Sequence, residues 1–369
     1  MSLRVFKYLS PCLLYYGALL SFSAQGFVVW IPVLYSWVLI PLLELLIQPD
    51  PVNLSAAEEE LAKKNRWYDY MLYLIVPLQY LALFLFLYNA SLPNQPWIDL
   101  VGKTLVMGLL CGTFGINVGH ELGHRVTKFE QRLAKLLLLT SLYLHFFIEH
   151  NKGHHKRVAT PEDPSSARYG EGLYRFYIRS IVFSYFSAWK IAARETRKKG
   201  HNALSLYNEM VQFHLVQLLF VVLIYVVFGW LAMLLFFGAA IHGILLLETV
   251  NYIEHYGLQR KPLGEGKYER AQPEHSWNSN HVIGRVMLFE LSRHSDHHYL
   301  ASRKYQVLRH HDNSPQMPTG YPGMMLLATV PPLWFRVMNN RWPIAGQAKK
   351  EHLSAMSVVH PHKKSFPAG

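Results

Sequence analysis

The sequence predicts an all-α integral membrane protein with six transmembrane helices, and three observations carry that expectation. Long apolar runs recur along the chain, basic residues collect between alternate runs, and 20 histidines cluster where those runs end. Hydrophobic residues make up 51% of the 369, too few for a chain wholly in lipid and too clustered for an ordinary soluble domain.

Roughly 20 consecutive apolar residues cross the hydrocarbon core as a helix. Runs of that kind lie at 6–25, 27–48, 68–91, 98–119, 210–229 and 231–252. The first has no A-x-A-like cleavage site and merges into the second, so it reads as a span rather than a signal peptide. A further apolar stretch, Leu133–Ile148, is interrupted by Lys135, Ser141 and His145 and suits a shorter helix inside the bundle or at the interface. Pro322–Phe335 is apolar but too short to span, which predicts an interfacial helix. No repeat of 20–50 residues is visible, so residues 1–342 read as a single membrane-embedded domain. Residues 343–369, rich in Lys, His, Ser and Pro, read as a flexible C-terminal tail.

Charge sets the orientation. Of 36 Lys and Arg, Arg4, Lys7, Lys63, Lys64 and Arg66 lie before or between the early runs, fifteen lie in 121–207 and fifteen in 254–369. Only Lys103 falls near the other face. The positive-inside rule makes the basic side cytoplasmic, with both termini there. A formal charge of +12 without a nucleic-acid motif fits a membrane-facing basic belt or a dock for an acidic protein, rather than a nucleic-acid binder. The two cysteines, Cys12 and Cys111, sit in predicted spans and make neither a disulfide framework nor a C-x-x-C site. Any electron carrier with cysteine ligands is therefore a separate chain.

Three histidine clusters fall on the predicted cytoplasmic side. His120 and His124 stand in GHELGHR, at i and i+4 on one helix face, where both imidazoles can meet one metal. His150, His154 and His155 stand in EHNKGHHKR, the first two repeating that spacing while the third can turn toward a second metal. His294, His297 and His298 stand in RHSDHH, and His255 closes the last span in NYIEHYGL. Any one histidine is more often an ordinary hydrogen-bonded residue than a ligand. Nine at ligand spacing on one side exceed what a single ion takes, so two metals are expected. Imidazole suits Fe, Zn, Cu and Ni alike. Glu121, Glu149, Asp163, Glu254 and Asp296 are candidates to orient these rings by accepting their other N–H, against the plainer reading of surface charges. His275 and His281 are further candidates, whereas His145, His214 and His242 read as packed residues.

Two other readings compete. His120-Glu121-Leu122-Gly123-His124 matches H-E-x-x-H, the zinc metalloprotease pattern, but leaves seven clustered histidines unexplained. A metal transporter would place ligands along the spans, and the far half of these spans offers few.

The motifs are long enough to carry a resemblance. HELGHR (120–125), EHNKGHHKRVATPEDP (149–164), NYIEHYGL (251–258), HSWNSNH (275–281), RHSDHH (293–298), RKYQVLRH (303–310) and QMPTGYPG (316–323) resemble, in that order, the membrane-bound alkane 1-monooxygenases. That family lies within the membrane desaturase and hydroxylase superfamily. The resemblance implies a cytoplasmic-facing di-iron centre held by His120, His124, His150, His154, His155, His255, His294, His297 and His298, in the inner (cytoplasmic) membrane. It implies O2-dependent hydroxylation of the terminal methyl of n-alkanes, with electrons from rubredoxin and an upstream rubredoxin reductase. A related desaturase or hydroxylase acting on another apolar or acyl substrate is the alternative. The segment IPLLE (40–44) resembles one in the family that places Ser36, with Trp37 beside it, where bulk limits chain length. A small residue there would admit medium to long chains.

Overall fold

A computed structural model describes residues 3–341; the expected tail, 343–369, lies outside them, as do His352, His360 and His362. Among the described residues the fold is helical, and its one sheet is a two-stranded hairpin of Pro262–Gly264 with Lys267–Tyr268. Five helices are long and apolar enough to cross a membrane: Arg4–Ser23, Gly26–Leu46, Trp67–Ser91, Trp97–Gly123 and Glu209–His255.

The last of these is two helices. Gly229 has φ 85° and ψ 175°, a backbone region open in practice to glycine alone. In an unbroken helix Phe220 and Phe236 would stand about 24 Å apart at 1.5 Å per residue. Their rings are 5.8 Å apart, so the chain folds back at Gly229. The apolar stretches 210–229 and 231–252 thus run side by side.

Burial differs sharply among these helices. Of the most apolar windows, 72% of that in Trp97–Gly123 is buried but only 17% of that in Gly26–Leu46. The former is the axis of the bundle, and its glycines explain how close neighbours come. A Cβ on Gly108 would strike the His242 ring, and one on Gly112 would meet Leu246 at 3.0 Å.

Three short π-helical turns interrupt the ladder, at Tyr35–Leu39, Cys111–Ile116 and His150–His154. Such turns insert one residue and shift everything beyond them around the helix. The first sits against Pro41, which lacks the N–H that the carbonyl four residues earlier would accept.

The Leu133–Ile148 stretch is not one helix. Lys128–Leu139, capped by the Thr127 hydroxyl accepting from the Glu130 amide at 3.2 Å, stops at a turn where Leu142 has φ 51°, and Phe146–Glu149 resumes it. Leu137, Leu138 and Ile148 are buried, which places it inside the bundle. The expected helix over Pro322–Phe335 is likewise two, Tyr321–Ala328 and Pro331–Met338. Pro331 and Pro332 force the break, since a proline disfavours helix in the residue before it.

Leu173–Lys198 is a long helix that hydropathy does not flag. It buries Phe176, Ser180, Ser184, Ala188, Ala192 and Thr196 at a four-residue interval, and all but the first are small side chains that allow close packing. Tyr174, Ile178, Phe183 and Phe186 face outward.

Candidate metal centre

The nine histidines arrive from four segments. His120 and His124 end the Trp97–Gly123 helix, His150, His154 and His155 lie on and after a π turn, and His255 ends Glu209–His255. His294, His297 and His298 lie on the short helix His294–Tyr299. Arg293 anchors that helix by donating to the backbone carbonyls of Leu308 at 2.8 Å and Val52 at 2.9 Å.

Their donor atoms form two groups. His120, His124, His150, His155 and His297 make one, His154, His255, His294 and His298 the other, with all donors in a group within 4.8 Å of one another. In the first, Nε2 atoms approach in a chain: His120 to His297 at 2.9 Å, His297 to His155 at 3.1 Å, His155 to His150 at 2.9 Å, and His150 to His124 at 3.1 Å. In the second, His154 meets His298 at 3.2 Å and His294 meets His255 at 3.3 Å. Two donors on one cation with bonds of about 2.1 Å stand about 3.0–3.4 Å apart, the edge of an octahedron or tetrahedron. The crowding fits ligation of two ions.

Protonation agrees. Burial first, then the neighbouring imidazoles, push His150, His155, His294, His297 and His298 well below the ordinary histidine value. They are neutral, the form that binds a metal.

The third cluster's i, i+3 and i+4 spacing predicts one face for His294, His297 and His298, yet only His294 and His298 share a group and His297 joins the other. The expected i, i+4 pairing holds for His120 with His124, but His150 and His154 fall in different groups. The cause is the π turn, whose i→i+5 geometry sets His150 beside His155 and sends His154 the other way.

The polar supports differ from the sequence expectation as well. Asp163 accepts from His154 Nδ1 at 2.9 Å and from the Ser166 hydroxyl at 2.6 Å. Burial opposes its charge, yet the His154 ring and these hydrogen bonds hold its carboxyl below the ordinary value. Glu254 Oε2 lies 3.1 Å from His294 Nε2, while Tyr321 donates to its Oε1 at 2.7 Å. Glu121 and Asp296 instead turn from the rings. Glu121 pairs with Arg125 at 2.7 Å and accepts from the Tyr305 amide, and Asp296 accepts from His311 at 2.7 Å and the Arg309 amide. His275 accepts from the Gln272 amide at 2.9 Å and faces Glu269, so its side chain supports a loop rather than a ligand. Glu149 is bound by Arg157 at 2.6 Å, and His281 by Ser279 at 3.0 Å. With Glu121 tied to Arg125, H-E-x-x-H lacks the free carboxylate that a protease uses as base.

Of the isolated histidines, His214 bonds the Met210 carbonyl and Tyr185, His145 packs on Tyr143, and His242 packs on Gly108.

An apolar cavity of about 690 Å³, mouth included, lies among the helices, and none of the nine histidines lines it. Ser36, Trp37, Asn117, Leu291 and Tyr321 are among its walls. Tyr321 links it, through Glu254, to His294. Ser36 and Trp37, singled out in the sequence for chain length, are in this wall; Tyr321 was not singled out, and its only signal was its place in QMPTGYPG.

A helical bundle with two buried histidine groups at its helix ends defines a membrane-embedded metalloprotein, and the fatty acid desaturase family model matches residues 95–328. Curated relatives narrow this. The chain is 42% identical over 315 residues to alkane 1-monooxygenase 2 of Pseudomonas aeruginosa, covering 84% of this chain and 83% of that one. It is 39% identical over 324 residues to the alkane 1-monooxygenase of Pseudomonas putida, covering 88% and 77%. The xylene/toluene monooxygenase hydroxylase component XylM of Pseudomonas putida is more distant, at 29% over 253 residues, 68% and 66% of the two chains. The chain belongs to the alkane 1-monooxygenase family, and so is a multi-pass membrane oxidoreductase of the monooxygenase class.

Proposed function

We propose that this protein hydroxylates the terminal methyl of medium- to long-chain n-alkanes to primary alcohols, using O2, two iron ions and electrons from rubredoxin. The observation that carries the reading is the juxtaposition of two buried histidine groups with an apolar cavity. Relatives named for alkane monooxygenation, matched over 83% and 77% of their own length, support it.

The nine histidines hold the two irons, five on one and four on the other. Bound iron would activate O2, the oxidant, to break an unactivated C–H bond, which acid–base chemistry cannot do. The protein's own residues do the rest. Asp163 fixes the tautomer and angle of His154 by accepting its Nδ1 proton. The walls of the cavity exclude water and aim a chain end at the centre, with Ser36 and Trp37 setting how long a chain enters. The fold at Gly229 gives six crossings, and the basic side, with both termini, faces the cytoplasm of the inner membrane. Residues 1–342 act as one domain with 343–369 as an appended tail. The basic face offers an acidic rubredoxin its dock, since Cys12 and Cys111 make no electron-carrier site of their own.

Purified protein in lipid discs, given rubredoxin, its reductase and NAD(P)H, tests this. Two irons per chain and 18O from labelled O2 in 1-octanol or 1-dodecanol are expected. Alcohol oxygen drawn from water, or a chain without iron, would sink the reading.

A further inference from the structure

The two donor groups are unequal, five imidazoles against four. Beside the smaller group, one carboxylate oxygen stands at donor spacing from one of its members. Glu254 Oε2 stands 3.1 Å from His294 Nε2, and His255 Nε2 stands 3.3 Å from that same nitrogen. These contacts are to the ring nitrogen that faces the group, not to the outer one. A carboxylate that only oriented His294 would sit on its outer nitrogen, Nδ1, as Asp163 does on His154. His294 Nδ1 is buried and has no hydrogen-bond partner. Both separations about His294 Nε2 match the edges between adjacent donors on one cation. Glu254 lies outside the set of donors that are all within 4.8 Å of one another, so ligation calls for a turn of its carboxylate toward the metal. Glu254 is 1% exposed, so its carboxyl group is enclosed by the protein. Tyr321 occupies its other oxygen at 2.7 Å, which leaves Oε2 directed at the group.

We infer that Glu254 is an oxygen donor to the metal held by His154, His255, His294 and His298, with Tyr321 as the residue that positions it. Each ion then has five protein donors, and only one has an anionic one. A hard carboxylate favours iron there over softer metals and sets the two ions chemically apart. Because Tyr321 also lines the cavity, the anionic donor lies on the substrate side of the centre. This rests on the two-iron reading above.

Full-length protein loaded with 57Fe, in lipid discs and reduced, provides the test by Mössbauer spectroscopy and by the rate at which a chelator removes each iron. Wild type should show two iron environments. In Glu254→Gln, which keeps the shape, one environment should change while the other stays, and one iron should leave at least tenfold faster. Tyr321→Phe should alter that same environment less and retain both irons. Should Glu254→Gln not accumulate, Glu254→Asp, with a reach shorter by one methylene, should alter the same single environment. Spectra and chelation rates identical to wild type in the carboxylate variants would overturn the inference and leave the two-iron reading intact. Wild-type protein without two irons would overturn both.

Discussion

The two histidine groups are built by different means. Among the described residues, no carboxylate hydrogen-bonds to any ring of the five-histidine group, which is held by the helices that carry it: His120 and His124 ride the most buried helix of the bundle. The four-histidine group is fixed by polar contacts, Asp163 on His154 and Glu254 beside His294. One site takes its shape from packing, the other from buried carboxylates that must be fully satisfied to be tolerated there. The first should therefore resist loss of a single polar group, and the second should not.

The largest effect will come from the ligands themselves. His297→Ala and His154→Ala should each cut alkane hydroxylation at least a hundredfold, and iron analysis should show each variant losing a different iron. Loss of the same iron from both would break the division into groups. Next comes Asp163→Asn, which removes the acceptor of the His154 proton. A second partner of this kind is worth about 10–100-fold in metal affinity, and competition with a chelator should show that drop for one iron alone. Ser36→Trp should leave both irons in place and shift the chain-length profile toward shorter alkanes, measured by comparing octane with dodecane turnover. An unchanged profile would mean that Ser36 does not bound the cavity in use. His275→Gln is the smallest, with iron content within twofold of wild type, since its side chain meets Glu269 and Gln272 rather than a ligand.

Much of this was legible in the sequence, and the failures share a cause. Hydropathy located the apolar helices and the link near Gly229, because crossing a membrane is a matter of length and polarity. It missed Leu173–Lys198, whose Arg and Lys lower its average although one face is apolar. The clusters revealed the nine histidines, yet not their partition, because i, i+4 reasoning assumes a regular α-helix and His150–His154 is not one. Adjacency misled for Glu121 and Asp296. Consecutive helical residues point about 100° apart, and at these two positions that turn carries the carboxylate to Arg125 and to His311 instead. Asp163, nine residues from its partner, depends on a loop that no periodicity describes.

The π turn at His150–His154 has an evolutionary reading. A π turn differs from an α-helix by one inserted residue. Deleting one residue there would swing His150 out of register with His155 and leave His124 and His297 without their neighbours. The grouping of His150 with His155 thus depends on chain length at this turn, a change that substitution alone cannot make.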